Sequence, residues 1–248
     1  MKKCNICGGN CVDIGNGKYQ CDCCGNMFSE EDFTQKKREA TRSESVQRGD
    51  VGAEIFDKNV NGVLEISMSC GSASGYLITD DGYAITNSHA VSLDNGKSCG
   101  QCKVKVAGEA VAAKVIAMGT EDNAKHCSND DLALIKLSHI PFGATPLRLG
   151  DFDSVRTGER IFVIGNSLGA GTCITGGIIS DKNRHGQLMY DCPTNPGNSG
   201  GPVFNSEGKV IGTHVAGTSP NGIKVQGMNI AIPCSAVKAF LDKCGLHI

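Results

Sequence analysis

Gly197-Asn198-Ser199-Gly200-Gly201-Pro202, the stretch GNSGGP, decides how this sequence is read. It has two partners upstream, TNSHAV at 86–91 and DLALIKL at 131–137, so a His, an Asp and a Ser follow one another along the chain. A serine hydroxyl is a poor nucleophile near neutral pH unless a base removes its proton. His89 is placed to be that base, and a buried Asp131 would fix its tautomer and stabilise the imidazolium. Asp130 is adjacent, but Asp131 directly precedes the apolar run LALIKL and takes the role. Gly197, Asn198 and Ser199 would form the oxyanion hole, with the N–H groups of Gly197 and Ser199 meeting developing negative charge. Glycine at 197 permits the backbone angles that aim such an N–H inward. Taken singly, the three residues read as a turn serine, a strand-end histidine and a loop-capping aspartate. Their joint occurrence in one order favours catalysis.

The rest of the pattern is that of an all-β chain. Short apolar or alternating runs (GVLEISM, GYLITD, YAITN, CKVKVAG, AAKVIAM, LALIKL, RIFVIG, GKVIGTHV) are separated by Gly, Asn and Asp turns, as barrel strands require. SAVKAFLDKCGL at 235–246 reads as a short closing helix stopped by Gly245. Trp is absent and aromatic residues are 5%, so the cores are expected to be Val, Ile, Leu and Ala. A net charge of −2 gives no steer towards nucleic acid, and no apolar run is long enough to span a bilayer.

GSASGYLITDDGYAITNSHAV (71–91), DLALIKL, IGNSLG (164–169), NPGNSGGPVFNSEGKVIG (195–212) and NIAIP (229–233) together resemble the trypsin-like serine proteases of the HtrA/Deg type. The resemblance runs from about Ala53 to the C-terminus. It implies a chymotrypsin-like double six-stranded β-barrel, with His89 and Asp131 from the first barrel and Ser199 from the second. Hydrolysis would pass through an acyl-enzyme without a catalytic cofactor, on a protein or peptide substrate. No PDZ segment is recognised, so PDZ-dependent sensing and assembly are not carried over.

GTHVAG at 212–217 departs from the HtrA pattern, which commonly has Asn at the position of His214. A histidine there resembles glutamyl endopeptidases and the picornaviral cysteine proteases that cleave after Gln. The second likeness extends to a Tyr-x-x-Pro-Thr run, present as Tyr190, Pro193 and Thr194. It implies that Tyr190 keeps His214 neutral while Thr194 and His214 donate to the substrate's side-chain carbonyl. Val215, Ala216 and Gly217 complete the expected substrate-binding set. A neutral His selects Gln and a protonated one favours Glu. The plainer alternative is a strand histidine satisfied by a backbone carbonyl, with Thr194 an ordinary turn residue.

The N-terminus is a separate object. CNIC at 4–7 and CDCC at 21–24 give Cys4-x2-Cys7 and Cys21-x2-Cys24, which resembles a zinc ribbon holding one structural zinc ion. Cys11 and Cys23 are surplus, and Cys23 is an alternative to Cys24. The expected layout is a ribbon at 1–28, a charged linker at 29–50 and the protease at 51–248. Cys99, Cys102, His126 and Cys127 are a weaker candidate for a second metal site. Fourteen cysteines, no leader-like apolar start and no trypsin-type disulfide spacing predict a reducing cytoplasm. Gln47, before Arg48 and Gly49, would suit self-cleavage by a Gln-selective enzyme. The ribbon would recruit a substrate or partner; the other reading is a latent protease-fold adaptor. Oligomeric state and the physiological substrate are not legible here.

Overall fold

The computed structural model describes residues 2–4, 9–30, 50–68, 71–93, 95–119, 128–217 and 227–248. The chain divides into two compact units, Met1–Asp50 and Val51–Ile248.

In the first unit, β1 (Lys2–Lys3), β2 (Asn10–Gly15), β3 (Lys18–Cys21) and β4 (Met27–Ser29) form an antiparallel sheet in chain order. Asn16 (φ 54°) and Gly17 (φ 70°) make the tight turn between β2 and β3, in the left-handed region where Asn and Gly fit best. Its core consists of Cys4, Cys11 and Cys21, with Tyr19 and Phe28 packed against them.

The second unit holds two closed six-stranded barrels. The first runs β5 (Val63–Met68), β6 (Gly71–Leu77), β7 (Tyr83–Thr86), β8 (Gln101–Val106), β9 (Glu109–Met118) and β10 (Ala133–Leu137), closing in the order β10-β7-β6-β5-β8-β9. The other contains β11 (Arg160–Asn166), β12 (Thr172–Arg184), β13 (Gln187–Tyr190), β14 (Pro202–Asn205), β15 (Val210–Gly217) and β16 (Asn229–Pro233), closing as β11-β12-β13-β16-β15-β14. Closure leaves no unpaired sheet edge.

Strand periodicity sorts side chains into three cores. Leu64, Ile66, Leu77, Ala84, Val104 and Ile135 fill the first barrel. Ile161, Val163, Ile179, Leu188 and Ile211 fill the second. Their sequence neighbours Val63, Tyr76, Ile85, Leu134, Phe162 and Ile164 point the other way, into a core shared by both barrels. Such strands are buried on both faces, so they read as continuous apolar runs. β8 has a solvated face and alternates, with Cys102, Val104 and Val106 inward. The Tyr76 hydroxyl shares a buried 2.9 Å hydrogen bond with Thr213 Oγ1, joining one barrel to the other.

Helix Cys234–Lys243 buries Val237 and Leu241 in the shared core. Cys244 is its C-cap and Gly245 its stop, as expected: Gly245 takes φ 77° while the Leu246 N–H bonds back to the Leu241 carbonyl. Helix Val51–Asn59 was not foreseen from the sequence. Its one buried apolar side chain, Ile55, joins the shared core, and Asn59 Nδ2 donates to the Ile55 carbonyl at 2.8 Å. Most of the charged segment 29–50, including Gln47, lies outside the described residues.

Candidate active site

His89 opens a single 3-10 turn, His89–Val91, just past β7. Three fully buried residues lead into it, Thr86, Asn87 and Ser88. Asn87 Nδ2 donates to the Asp131 carbonyl at 2.8 Å, and Ser88 Oγ to the Leu132 carbonyl at 2.7 Å. This side-chain lacing ties the histidine turn to the start of β10. Asp131, 8% exposed, then binds His89 twice: Oδ1 accepts the His89 backbone N–H at 3.0 Å and Oδ2 meets Nδ1 at 2.7 Å. The carboxylate only accepts, so Nδ1 carries a proton and Nε2 is left as the ring's acceptor. Asp130 is exposed.

Ser199 lies in the turn between β13 and β14. Gly197 has φ 100°, and a Cβ there would sit 2.2 Å from the Asn166 carbonyl oxygen. Gly200 has φ 83°, and its Cβ would meet the Ser74 carbonyl oxygen at 2.3 Å. Only glycine fits either position, which accounts for the GNSGG pattern. Among the described residues, the backbone N–H groups of Gly197 and Ser199 have no protein acceptor, whereas Asn198 N–H is used by the Asn195 carbonyl at 3.1 Å. The Ser199 hydroxyl donates to the Val215 carbonyl at 2.9 Å. Val215 is the extra residue of a bulge in β15, since pairing jumps from His214↔Ala231 to Ala216↔Ile230.

Tyr190 and His214 are both buried, and their rings meet edge-on at 6.0 Å. The Tyr190 hydroxyl lies 2.5 Å from His214 Nδ1. Burial, and after it the repulsion His214 would meet from a protonated His89, hold the His214 imidazole down at about 3, against a smaller upward pull from the Ile230 backbone. Burial also raises the Tyr190 phenol well above its ordinary value. The phenol therefore keeps its proton and donates it to Nδ1, leaving the imidazole proton on Nε2. Thr194 behaves differently from the expected donor: its hydroxyl gives its proton to Asn229 Oδ1 at 2.6 Å. Asn229 Nδ2 in turn donates to the Cys192 carbonyl at 2.6 Å. Asn229, opposite Gly217 in the β15–β16 pairing, was missed from sequence. Its only signal was its place at the head of NIAIP.

In the first unit, the sulfurs of Cys4, Cys21 and Cys24 lie within 4.8 Å of one another. Cys7 lies outside the described residues, Cys23 is exposed, and Cys11 is buried opposite Cys21. Cys102 is a core residue of the first barrel and Cys99 packs against that core; His126 and Cys127 lie outside the described residues.

Three bacterial proteins named "Probable periplasmic serine endoprotease DegP-like" are similar to this chain. Those of Brucella suis, Rhizobium meliloti and Chlamydia muridarum are 35%, 36% and 32% identical over 180, 179 and 181 residues. Each match covers 68% of this chain and 32–33% of the relative, so the chain spans about a third of those proteins. Among solved structures, the Yersinia pestis serine endoprotease aligns with a TM-score of 0.62 at 23% identity, covering 77% of this chain and 65% of the other. An HtrA-type protease, AlgW, solved with a tripeptide, aligns with a TM-score of 0.62 at 27% identity, covering 77% and 62%. The periplasmic relatives overturn the expectation of a cytoplasmic setting. The cysteine argument misled because buried thiols such as Cys102, Cys192 and Cys234 are small apolar core residues, their pKa values raised by burial to about 11, 12 and 11. Inert thiols of this kind say little about compartment. Among the described residues, no helix is long and apolar enough to cross a membrane. Residues 73–212 match the trypsin-like peptidase domain family. That match spans more than half of the sequence, and the chain belongs to the trypsin-like peptidase domain family.

Proposed function

We propose that residues 51–248 form a serine endopeptidase acting through His89, Asp131 and Ser199. The observation that carries this reading is the doubly bonded His89–Asp131 pair, 2.7 and 3.0 Å, facing Nε2 as a base. The Ser199 hydroxyl turns from Val215 towards Nε2, gives up its proton and attacks the scissile carbonyl. The N–H groups of Gly197 and Ser199 receive the oxyanion. The imidazolium then protonates the leaving amine, and water reverses the sequence to release the acid.

The primary pocket favours Gln over Glu. His214, neutral with its proton on Nε2, offers one donor to a side-chain carbonyl in competition with the Ile230 backbone carbonyl. Thr194, its proton committed to Asn229, offers lone pairs that suit the amide NH2 of Gln and repel a second carboxylate oxygen. This inverts the donor role that the viral resemblance implied for Thr194. An apolar side chain would leave these groups unpaired.

The N-terminal thiols fit a structural zinc ion. A tetrahedral thiolate site with Zn–S of about 2.3 Å spaces its sulfurs about 3.8 Å apart, and Cys4 Sγ and Cys24 Sγ are 3.6 Å apart. Asn26 Nδ2 points at Cys24 Sγ from 3.1 Å and Cys23 N–H at Cys21 Sγ from 3.4 Å, both donors suited to thiolates. Cys4, Cys21 and Cys24 would hold the metal with Cys7 as fourth ligand, and the sheet would present a recruiting surface.

A second reading, a latent protease-fold adaptor, is favoured by the Ser199–Val215 hydrogen bond, which holds the nucleophile's proton away from a base. Cleavage profiling on a diverse peptide library, with Ser199→Ala as control, separates the two. Cutting after Gln that is lost in the variant supports the endopeptidase; cutting after small aliphatic residues keeps the enzyme and rejects the pocket. No cutting favours the adaptor.

A further inference from the structure

We infer that Ser74 and the backbone N–H of Leu168 form a clamp that sets the geometry of the oxyanion hole, making Ser74 a positioning residue. The inference rests on the endopeptidase reading above. Ser74 is fully buried on β6 of the first barrel, where its carbonyl accepts the Thr86 hydroxyl, yet its hydroxyl and its backbone N–H both reach across to the second barrel. Its Oγ donates to the Gly197 carbonyl at 2.7 Å and accepts the Asn166 N–H at 2.8 Å. Its backbone N–H donates to the Ser199 carbonyl at 2.8 Å. One residue thus pins the peptides that follow Gly197 and Ser199, and the strand end that leads to Leu168.

The peptide before Gly197 is held from the other side. Leu168 N–H donates to the Pro196 carbonyl at 2.7 Å. A trans peptide is planar with its C=O and N–H pointing opposite ways. Fixing the Pro196 carbonyl against Leu168 therefore directs the Gly197 N–H away from it, free of any protein acceptor among the described residues. Leu168 reaches this position at φ 58°, in the left-handed region that a leucine enters only at a cost, and its side chain is 67% exposed. Packing therefore does not account for the conformation, whereas the hydrogen bond to Pro196 does. Asn195 Nδ2 adds a 3.1 Å bond to Ser167 Oγ.

The clamp has little slack. A Cβ on Gly165 would lie 2.9 Å from Ser74 Oγ, and one on Gly197 would lie 3.1 Å from the Leu168 nitrogen. Removing the Ser74 hydroxyl strands a buried acceptor and a buried donor and lets the Gly197 peptide turn.

The test compares wild type, Ser74→Ala, Leu168→Gly and Leu168→Pro on one cleaved peptide and one peptide boronic acid, which binds as a tetrahedral adduct. Leu168→Gly keeps both the N–H and the positive φ, whereas Leu168→Pro removes both. For Ser74→Ala and Leu168→Pro, kcat and boronate affinity are expected to fall together by roughly 10–100-fold with KM within about twofold. Leu168→Gly, which keeps the N–H bonded to the Pro196 carbonyl, is expected to lose far less of either than Leu168→Pro. Unfolding temperatures taken alongside distinguish lost positioning from lost fold. Wild-type kcat and boronate affinity in a folded Ser74→Ala or Leu168→Pro protein would overturn the clamp. An inactive wild-type protein would instead reject the endopeptidase reading on which it rests.

Discussion

Among the described residues of the first unit the buried core is three cysteines flanked by Tyr19 and Phe28, whereas among those of the second three clusters of largely aliphatic side chains fill two barrels and the seam between them. The smaller unit exposes Val12, Ile14 and Met27, so apolar burial contributes little to its stability. Chains below roughly 40 residues rarely fold on apolar burial alone and lean on metals or disulfides. Among the described residues of the larger unit the cysteines are unpaired by disulfides, and buried ones such as Cys102 and Cys192 pack as small apolar side chains. The same amino acid thus has two settings: sulfurs that converge and receive N–H donors, as a metal site would ask, and sulfurs that lie as small hydrophobes among Val and Ile. Neighbourhood decides which.

The largest effect that sharpens this contrast is local to the barrels. Ser199→Ala should lower peptide hydrolysis by about 10⁵–10⁶-fold while leaving zinc content, measured by atomic absorption, unchanged. Loss of metal together with activity would mean the units are not independent. Conversely, a strong chelator, or Cys21→Ser, should erase amide-exchange protection in residues 9–29 and leave cleavage of a short peptide at the wild-type rate. Protection that survives complete chelation would remove the metal from the account. Ile135→Ala, which empties part of the first barrel, should destabilise the larger unit by about 2–5 kcal/mol, seen as a lower denaturant midpoint for that unit alone.

The smallest effect concerns protons. His214 titrates at about 3 in the folded chain, below its ordinary value of 6.5. Between those pH values the unfolded chain binds a proton that the folded chain refuses. Stability from this group is therefore complete above about 6.5 and declines as pH falls towards 3. His214→Gln should flatten that part of the stability curve. For the same reason, preference for Gln over Glu should hold its sign from pH 8 to pH 5. A switch to Glu on acidification would show that His214 charges inside the pocket.

Much of the larger unit was legible because strand period and chemistry coincide: β8 alternates, TNSHAV and DLALIKL lie at the end of β7 and the start of β10 where His89 and Asp131 meet, and GNSGGP forms the turn that carries Ser199. What escaped has physical reasons. Helix Val51–Asn59 is short and buries one apolar side chain, so it leaves no periodic stripe. Ser74 and Asn229 matter through partners 123 and 35 residues away, a relation that only topology creates. Thr194 was expected to donate to a substrate, but the direction of its hydrogen bond is set by Asn229, which the sequence did not single out. Compartment was misread from a cysteine count that did not separate core thiols from converging ones.

The Val215 carbonyl bears on inhibitor design. Because it already satisfies the Ser199 hydroxyl, a compact electrophile meets an oxygen whose lone pairs are not yet sharpened by a base. A peptide that fills the cleft against β15 competes for the bulged backbone at Val215 and releases that proton to the imidazole. Warheads tethered to a well-fitting peptide should therefore outpace their untethered forms by more than the gain in affinity.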